Sequence, residues 1–312
     1  MAEKSEISWT DATFNWWEGC TKVGLGCDGC YAEARNKRFS GGQAINWGPG
    51  APRRLTSQHN RNNLERWNRK RFYECERCGF RGEDDAESSR LCICMTCGTR
   101  LTPTRRRVFC SSLSDLFDNE VEQLWRDEMF AKAEACTNLD LYCLTKRIGN
   151  VRRMVPESWL KQWPSHIRLG ATIVNQPEAE RDIAKLTALR CPNFLSMEPL
   201  LGPVDLTTLR VPNTVLRNMV PAITKLDWVI VGGESGPSAR PMHPDWVRSL
   251  RDQCAEADVP FHFKQWGEWV SVSEQPGAGP HHQFDDGATV RRIGKKAAGR
   301  LLDGRTHDGF PS

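Results

Sequence analysis

The sequence predicts an α/β protein built as a full or partial (β/α) barrel, and three observations lead there. From Arg107 onward, short apolar runs alternate with amphipathic helical stretches. The apolar runs lack period-two alternation, as strands buried on both faces of a parallel sheet do. Almost every run ends in a polar or charged group, at the strand end where (β/α) barrels carry their active face. A chain of 312 residues with 39% apolar residues has room and core for one such barrel.

The elements follow in order. "TFNWW" (13–17) supplies the first strand, a cysteine-bearing loop comes next, and a helix begins near Tyr31. "VFCSSLSDLF" (108–117) opens as a strand and 119–136 reads as a helix. "LDLYCLTKR" (139–147) and "IRLGATIVN" (167–175) are strands, the second followed by a helix over 177–189. "CPNFLSMEPL" (191–200), "DWVIVGGESG" (227–236), a helix over 245–257 and "PFHFKQWGEW" (260–269) complete the alternation. Residues 206–225 lack a firm strand signal and read as a connecting excursion. The tail after Ser271, rich in glycine, histidine and charge, reads as irregular. The expected divisions are 1–72 for the start of the barrel, 73–101 for an insertion, 102–270 for the rest of the barrel and 271–312 for the tail.

Helix caps and βα loops are polar in any protein of this class, which accounts for a serine or an aspartate at a strand end. Lys146, Glu198, Glu234 and Lys264 ask for more. Each closely follows an apolar run and is expected to point into the barrel mouth, so these four are the candidate catalytic residues.

Thirteen cysteines are many for a chain whose first nine residues show no apolar signal core and whose apolar runs all fall short of a membrane span. The expectation is a soluble cytoplasmic protein with no membrane partner, in which cysteines are metal ligands or reduced core residues. "CERCG" (75–79) and "CMTCG" (94–98) are two CxxCG knuckles. Each bends so that both thiolates face one ion, and together they predict a four-cysteine zinc ribbon on Cys75, Cys78, Cys94 and Cys97. Cys92 is a spare that could stand in for Cys94.

Arginines flank the ribbon. Arg53, Arg54, Arg66, Arg69 and Arg71 precede it and Arg105, Arg106 and Arg107 follow it, a cationic cluster of the kind that neutralises phosphates. The net charge of +4 by itself decides nothing. The cluster reads as a nucleic-acid contact or as a solvated helix face.

The remaining cysteine group, Cys20, Cys27 and Cys30 in "GCTKVGLGCDGCYAE", stops at three. A zinc knuckle and an iron–sulfur site both remain open on spacing. A [4Fe–4S] cluster held by three thiolates would leave one iron free for a small ligand.

The blocks "WTDATFNWWEGCTKVGLGCDGCYAE", "LTKR", "LSMEPLLGPVDL", "DWVIVGGESGPSARPMHPDWVRSLRDQC", "PFHFKQWGEW" and "GKKAAGRLLDG" resemble the three-cysteine, radical-SAM-like protein family of phage genomes. The resemblance runs over most of the chain, with the ribbon as an insertion. It implies a barrel of radical-SAM type, a [4Fe–4S] cluster on Cys20, Cys27 and Cys30 beside Tyr31, and S-adenosylmethionine (SAM) in the mouth. Gly232–Gly233–Glu234 is similar to the radical-SAM "GGE", which ordinarily ends the second strand and here ends about the sixth. Its glycines could meet the SAM amine, while Glu234 could hold SAM, hold substrate or cap a helix. By resemblance the reaction is the isomerisation of N-linked glycinyl-thymidine to its C-linked isomer in phage DNA hypermodification, with an electron donor and DNA as partners. Lys146, Arg147 and Lys264 would face the glycinyl carboxylate, with Glu198 or Glu234 at its amine. A photoproduct-repair lyase of the same class, and a zinc-stapled nucleic-acid-binding protein without activity, are the rival readings.

Overall fold

A computed structural model describes residues 3–83, 93–213 and 217–311. Seven strands form one all-parallel sheet in chain order: β1 (Ala12–Phe14), β2 (Arg106–Cys110), β3 (Leu139–Thr145), β4 (Ile167–Thr172), β5 (Asn193–Met197), β6 (Val229–Gly232) and β7 (Phe261–Gln265). β1 and β7 are its two edges, so the barrel is partial. The helices that matter to the site are α1 (Tyr31–Phe39), α2 (Gln123–Ala135), α3 (Ile148–Met154), α4 (Gln176–Thr187) and α5 (Pro244–Glu256). α1, α2, α4 and α5 begin within about four residues of their predicted starts, α3 has no counterpart among the predicted helices, and the strand order from residue 106 onward is the one the sequence announced. Among the described residues no helix is long and apolar enough to cross a membrane.

Side-chain alternation along the strands sorts two cores. Val108, Cys110, Leu141, Leu169, Leu195 and Val231 face one large cluster with the helices. The opposite positions, Phe109, Tyr142, Phe194 and Ile230, meet Trp9 and Trp228 in a separate aromatic cluster. Tyr142 on β3 and Trp228 at the foot of β6 have ring centroids 5.8 Å apart, and Trp9 and Trp228 are 6.1 Å apart. Three strands of a flat sheet would separate the first pair by roughly 14 Å. The sheet is therefore strongly curled, and its interior is filled at the lower end by aromatic rings.

The β1–β2 connection carries the cysteine loop, α1, the basic segment and the ribbon. The ribbon strands, 72–74, 81–83 and 102–104, make a three-stranded antiparallel sheet. Its last strand runs directly into the start of β2, so the ribbon sits at the lower end of the barrel. There Arg81 grips Asp11 at 3.0 Å, and Arg106 meets Glu83 at 2.5 Å and lies over the Trp67 ring.

Two expectations are corrected. Residues 210–213 and 218–221 pair as an antiparallel hairpin within the supposed excursion. The tail is ordered: 269–271, 289–292 and 281–283 form a three-stranded antiparallel sheet, which places His281 and His282 on an exposed strand. Both stretches are short, polar and proline- or glycine-bearing, so neither shows the apolar runs by which the sheet strands were found.

Candidate active site

Parallel strands deliver all their C-terminal ends to one edge, and there an open cavity of about 280 Å³ forms. Ser111 and Ser112 after β2, Lys146 and Arg147 after β3, Glu198 after β5, Glu234 after β6 and Lys264 in β7 all line it. So do Cys20, Cys27, Cys30 and Tyr31 from the loop over its mouth, while Trp9, Phe109 and Leu144 form an apolar floor.

The charged lining divides by partner. Lys264 and Glu198 pair at 2.9 Å, and Gln265 adds a longer contact to the same carboxylate at 3.3 Å. Lys146 Nζ has Thr172 Oγ1 at 3.5 Å and, among the described residues, no carboxylate within 4.0 Å. Glu234 is buried and its carboxylate accepts from Arg240 Nε at 2.8 Å and Nη2 at 2.7 Å. Its lone pairs are thus largely used by a neighbour.

Gly233 has a packing reason of its own. A Cβ there would lie 1.9 Å from the Trp266 carbonyl oxygen, and one on Gly232 would lie 2.9 Å from Glu198 Oε1. Close backbone approach thus demands a glycine at 233 whatever ligand binds, whereas at 232 the Glu198 side chain would have to shift. The Gly–Gly–Glu segment ends the sixth strand of the sheet.

Three arginines clamp the cysteine loop. Arg53 donates to Thr21 Oγ1 at 2.7 Å while its Nε meets Asp118 at 2.8 Å. Arg147 donates to the Thr21 carbonyl at 2.6 Å and to Cys20 Sγ at 3.4 Å, beside Asp115 at 3.3 Å. Arg240 reaches the Leu25 carbonyl at 2.9 Å and Asp28 at 3.1 Å. Burial and the Asp115 carboxylate push the Cys20 thiol up to about 12, with Arg147 pulling the other way. A coordinated cation reverses that balance, because thiols bind metal as thiolates.

Two groups of three or more candidate ligands draw together within 4.8 Å among the described residues: the ribbon cysteines, and His243 with Asp245 and Asp286. The second is not a ready cation site, since His243 Nδ1 accepts the Asp245 amide, leaving Nε2 to donate to Asp286. In the ribbon, Cys75 and Cys97 sulfurs are 3.4 Å apart and Cys78 and Cys94 3.6 Å apart. A tetrahedral ion with ~2.3 Å bonds to sulfur asks for about 3.8 Å. The knuckles are built alike: Gly79 and Gly98 take φ of 70° and 71° and donate to the Cys75 and Cys94 carbonyls. Cys94 is thus the fourth member, and Cys92 lies outside the described residues.

Cys20, Cys27 and Cys30 line one cavity without closing to such distances. A polynuclear cluster, in which each thiolate takes a different iron, accepts thiols set further apart than one tetrahedral ion does.

The expected phosphate contacts scatter. Arg53 is a correction: it is buried and bound to Asp118 and Glu120, as no solvated or phosphate-facing residue could be. Arg106 is a second, buried between Glu83 and Trp67. Arg107 lies over the Phe310 ring at 3.7 Å, and Arg105, exposed, meets Asp140 at 3.5 Å, both at the lower end of the barrel. Arg54 pairs with Glu18 and Arg66 with Glu3, while Arg69 and Arg71 are exposed. Sequence reasoning missed Arg240, Trp47 and Lys295, the last two lining the cavity from outside the seven-stranded sheet, Lys295 at the start of a short helix over 295–298.

A Ser–His–Asp arrangement also occurs, Ser8 lying 2.8 Å from His262 Nε2. It is no relay, for Asp308 is 3.8 Å from Nδ1 and burial with Arg300 nearby holds His262 down at about 4.

Among solved structures, spore photoproduct lyase complexed with dinucleoside spore photoproduct aligns at 9% identity and a TM-score of 0.39, over 96% of this chain and 72% of that one. A double mutant of that lyase with bound AdoMet and dinucleoside spore photoproduct gives 9% and 0.37, over 94% and 71%. At such identity no residue role carries across. Comparison with curated protein sequences finds no match. The family model described as "Protein of unknown function (DUF5131)" matches residues 4–311, nearly the full length, and the chain belongs to that family.

Proposed function

We propose that this protein is a radical-SAM enzyme that modifies a nucleic-acid base, isomerising N-linked to C-linked glycinyl-thymidine in phage DNA within the host cytoplasm. The supporting observation is the convergence of three thiols, carried on a clamped loop, on a cavity that also presents Lys146, which among the described residues has no carboxylate within 4.0 Å, and one carboxylate–ammonium pair. A [4Fe–4S] cluster on Cys20, Cys27 and Cys30 would supply an iron open to SAM and the electron that cleaves it to a 5′-deoxyadenosyl radical.

The chain's own residues do the rest. Lys146, with no carboxylate beside it, holds the glycinyl carboxylate. Glu198 receives the glycinyl ammonium and Lys264 keeps that carboxylate aimed. The Trp9, Phe109 and Leu144 floor receives the extruded base and keeps water from it. Arg147 and Glu234 act on the loop instead, because their charges are already spent on Cys20, Thr21 and Arg240. The ribbon cysteines take zinc in a structural role, since four thiolates leave no open position.

Anaerobic reconstitution tests the reading. About four irons and one zinc per chain, with a reduced-cluster EPR signal shifted by SAM, is the expected result. DNA containing glycinyl-thymidine should then yield a nucleoside of unchanged mass and altered retention. Two zincs with no iron would end the radical mechanism.

A further inference from the structure

We propose that the exposed face of α1 is the docking surface for the DNA strand flanking the modified base, an inference that rests on the reading that the cavity takes a nucleic-acid base. Tyr31 opens α1 on the cavity rim and is 59% exposed. The same helix ends at Phe39, which is 70% exposed, about 12 Å further along the axis. Phe39 belongs to neither of the two barrel core clusters and so has no packing role there.

Its neighbours give it one. The guanidinium carbons of Arg35 and Arg38 lie 5.2 and 5.6 Å from the Phe39 ring centroid. Among the described residues Lys37 and Arg38 have no carboxylate within 4.0 Å, and Arg35 has Glu18 at 3.5 Å on an exposed edge. The one acid on the helix, Glu33, is neutralised by Lys22 at 3.2 Å. Cations that neutralise phosphates beside an aromatic face on which a base stacks are the two parts of a single-strand platform.

Location decides between this face and the arginines around the ribbon. Arg105, Arg106 and Arg107 stand at the foot of β2, roughly 10 to 17 Å from its Cys110 end at the cavity edge. α1 starts at that edge, with Cys30 as its N-cap. A strand whose base enters the cavity therefore passes over α1 first.

The test is fluorescence anisotropy of a short labelled single-stranded DNA, titrated with wild type, with the triple variant Arg35→Ala, Arg38→Ala, Phe39→Ala, and with Arg69→Ala, Arg71→Ala, Arg105→Ala. The α1 variant should raise Kd about tenfold or more and flatten the slope of log K against log salt by about one to two units. The ribbon-side variant should stay within about twofold. Equal affinity of the α1 variant, a larger loss in the ribbon-side variant, or no binding by wild type would each overturn the assignment. Iron content and the SAM-induced EPR shift, read on the same samples without DNA, report on the cofactor separately. Their survival alongside unchanged DNA affinity would overturn the docking face alone, and their absence in wild type would overturn the radical reading alone.

Discussion

Arg240 grips Glu234 through two guanidinium nitrogens, at 2.7 and 2.8 Å, and with the same group holds the carbonyl of Leu25. A residue after β6 thereby fixes a loop 215 positions earlier in the chain. Arg240→Ala leaves a buried carboxylate without its partner and frees the cysteine loop. It should cost about 1–3 kcal/mol in urea unfolding and lower iron retention, while zinc content stays at wild type. Full iron retention would show that Arg53 and Arg147 suffice.

Lys146→Met removes a cavity cation that has no carboxylate within 4.0 Å among the described residues, so no acid is orphaned. The expected effect is a rise in KM for the glycinyl substrate of about 10–100-fold. The SAM-induced EPR shift and the unfolding midpoint should not move. A lost SAM shift with unchanged KM would reassign this lysine to the cofactor.

The ribbon has a small apolar core of its own, formed by Tyr73, Cys75, Cys94 and Leu101. Metal must therefore supply much of its folding free energy. Cys78→Ser should abolish zinc binding and speed amide exchange over 72–83 and 93–104, with the seven-stranded sheet and the iron unaffected. Exchange spreading into β2 would mean that the Arg81–Asp11 contact ties the two folds into one unit.

Burial and Arg300 hold His262 at about 4 against an ordinary 6.5, with Lys264 and Arg107 acting in the same sense and Asp308 opposing. Between those values the unfolded chain binds the proton and the folded chain does not. Stability is therefore fullest above pH 6.5 and falls as pH drops toward 4, by about 3 kcal/mol for this one group. Urea unfolding across that range should show the slope, and His262→Asn should remove this part of it. Parallel slopes in both proteins would locate the acid sensitivity elsewhere.

Gly233→Ala places a methyl group against the Trp266 carbonyl, backbone against backbone. A loss of about 3 kcal/mol or more is expected, seen as a lowered Tm before any cofactor is added. An unchanged Tm would return this glycine to a ligand-binding role.

The site was legible where topology alone assembles it. Once the apolar runs between 106 and 265 are parallel strands, Ser111, Lys146, Glu198, Glu234 and Lys264 must share an edge, whatever the loops do. The ribbon was legible because its four ligands and two turn glycines are local in the chain. What composition could not carry is who meets whom. Arg53 reads as one more cation in a basic run until Asp118, 65 residues on, draws it inside. Arg147 reads as a substrate anchor until Cys20, 127 residues before it, takes its Nη1. The tail strands were hidden for a different reason: three- and four-residue strands with mostly solvated faces leave no hydrophobic period to detect.

The aromatic layer beneath the cavity has a consequence for timing. With Trp9, Phe109, Tyr142, Phe194 and Trp228 closing the lower end, the thiols are approached from the mouth. A reductant protein and a DNA strand would then need the same doorway and could not stand in it together. On the proposed chemistry the two would have to take turns, the electron arriving before the nucleic acid settles or after it has gone.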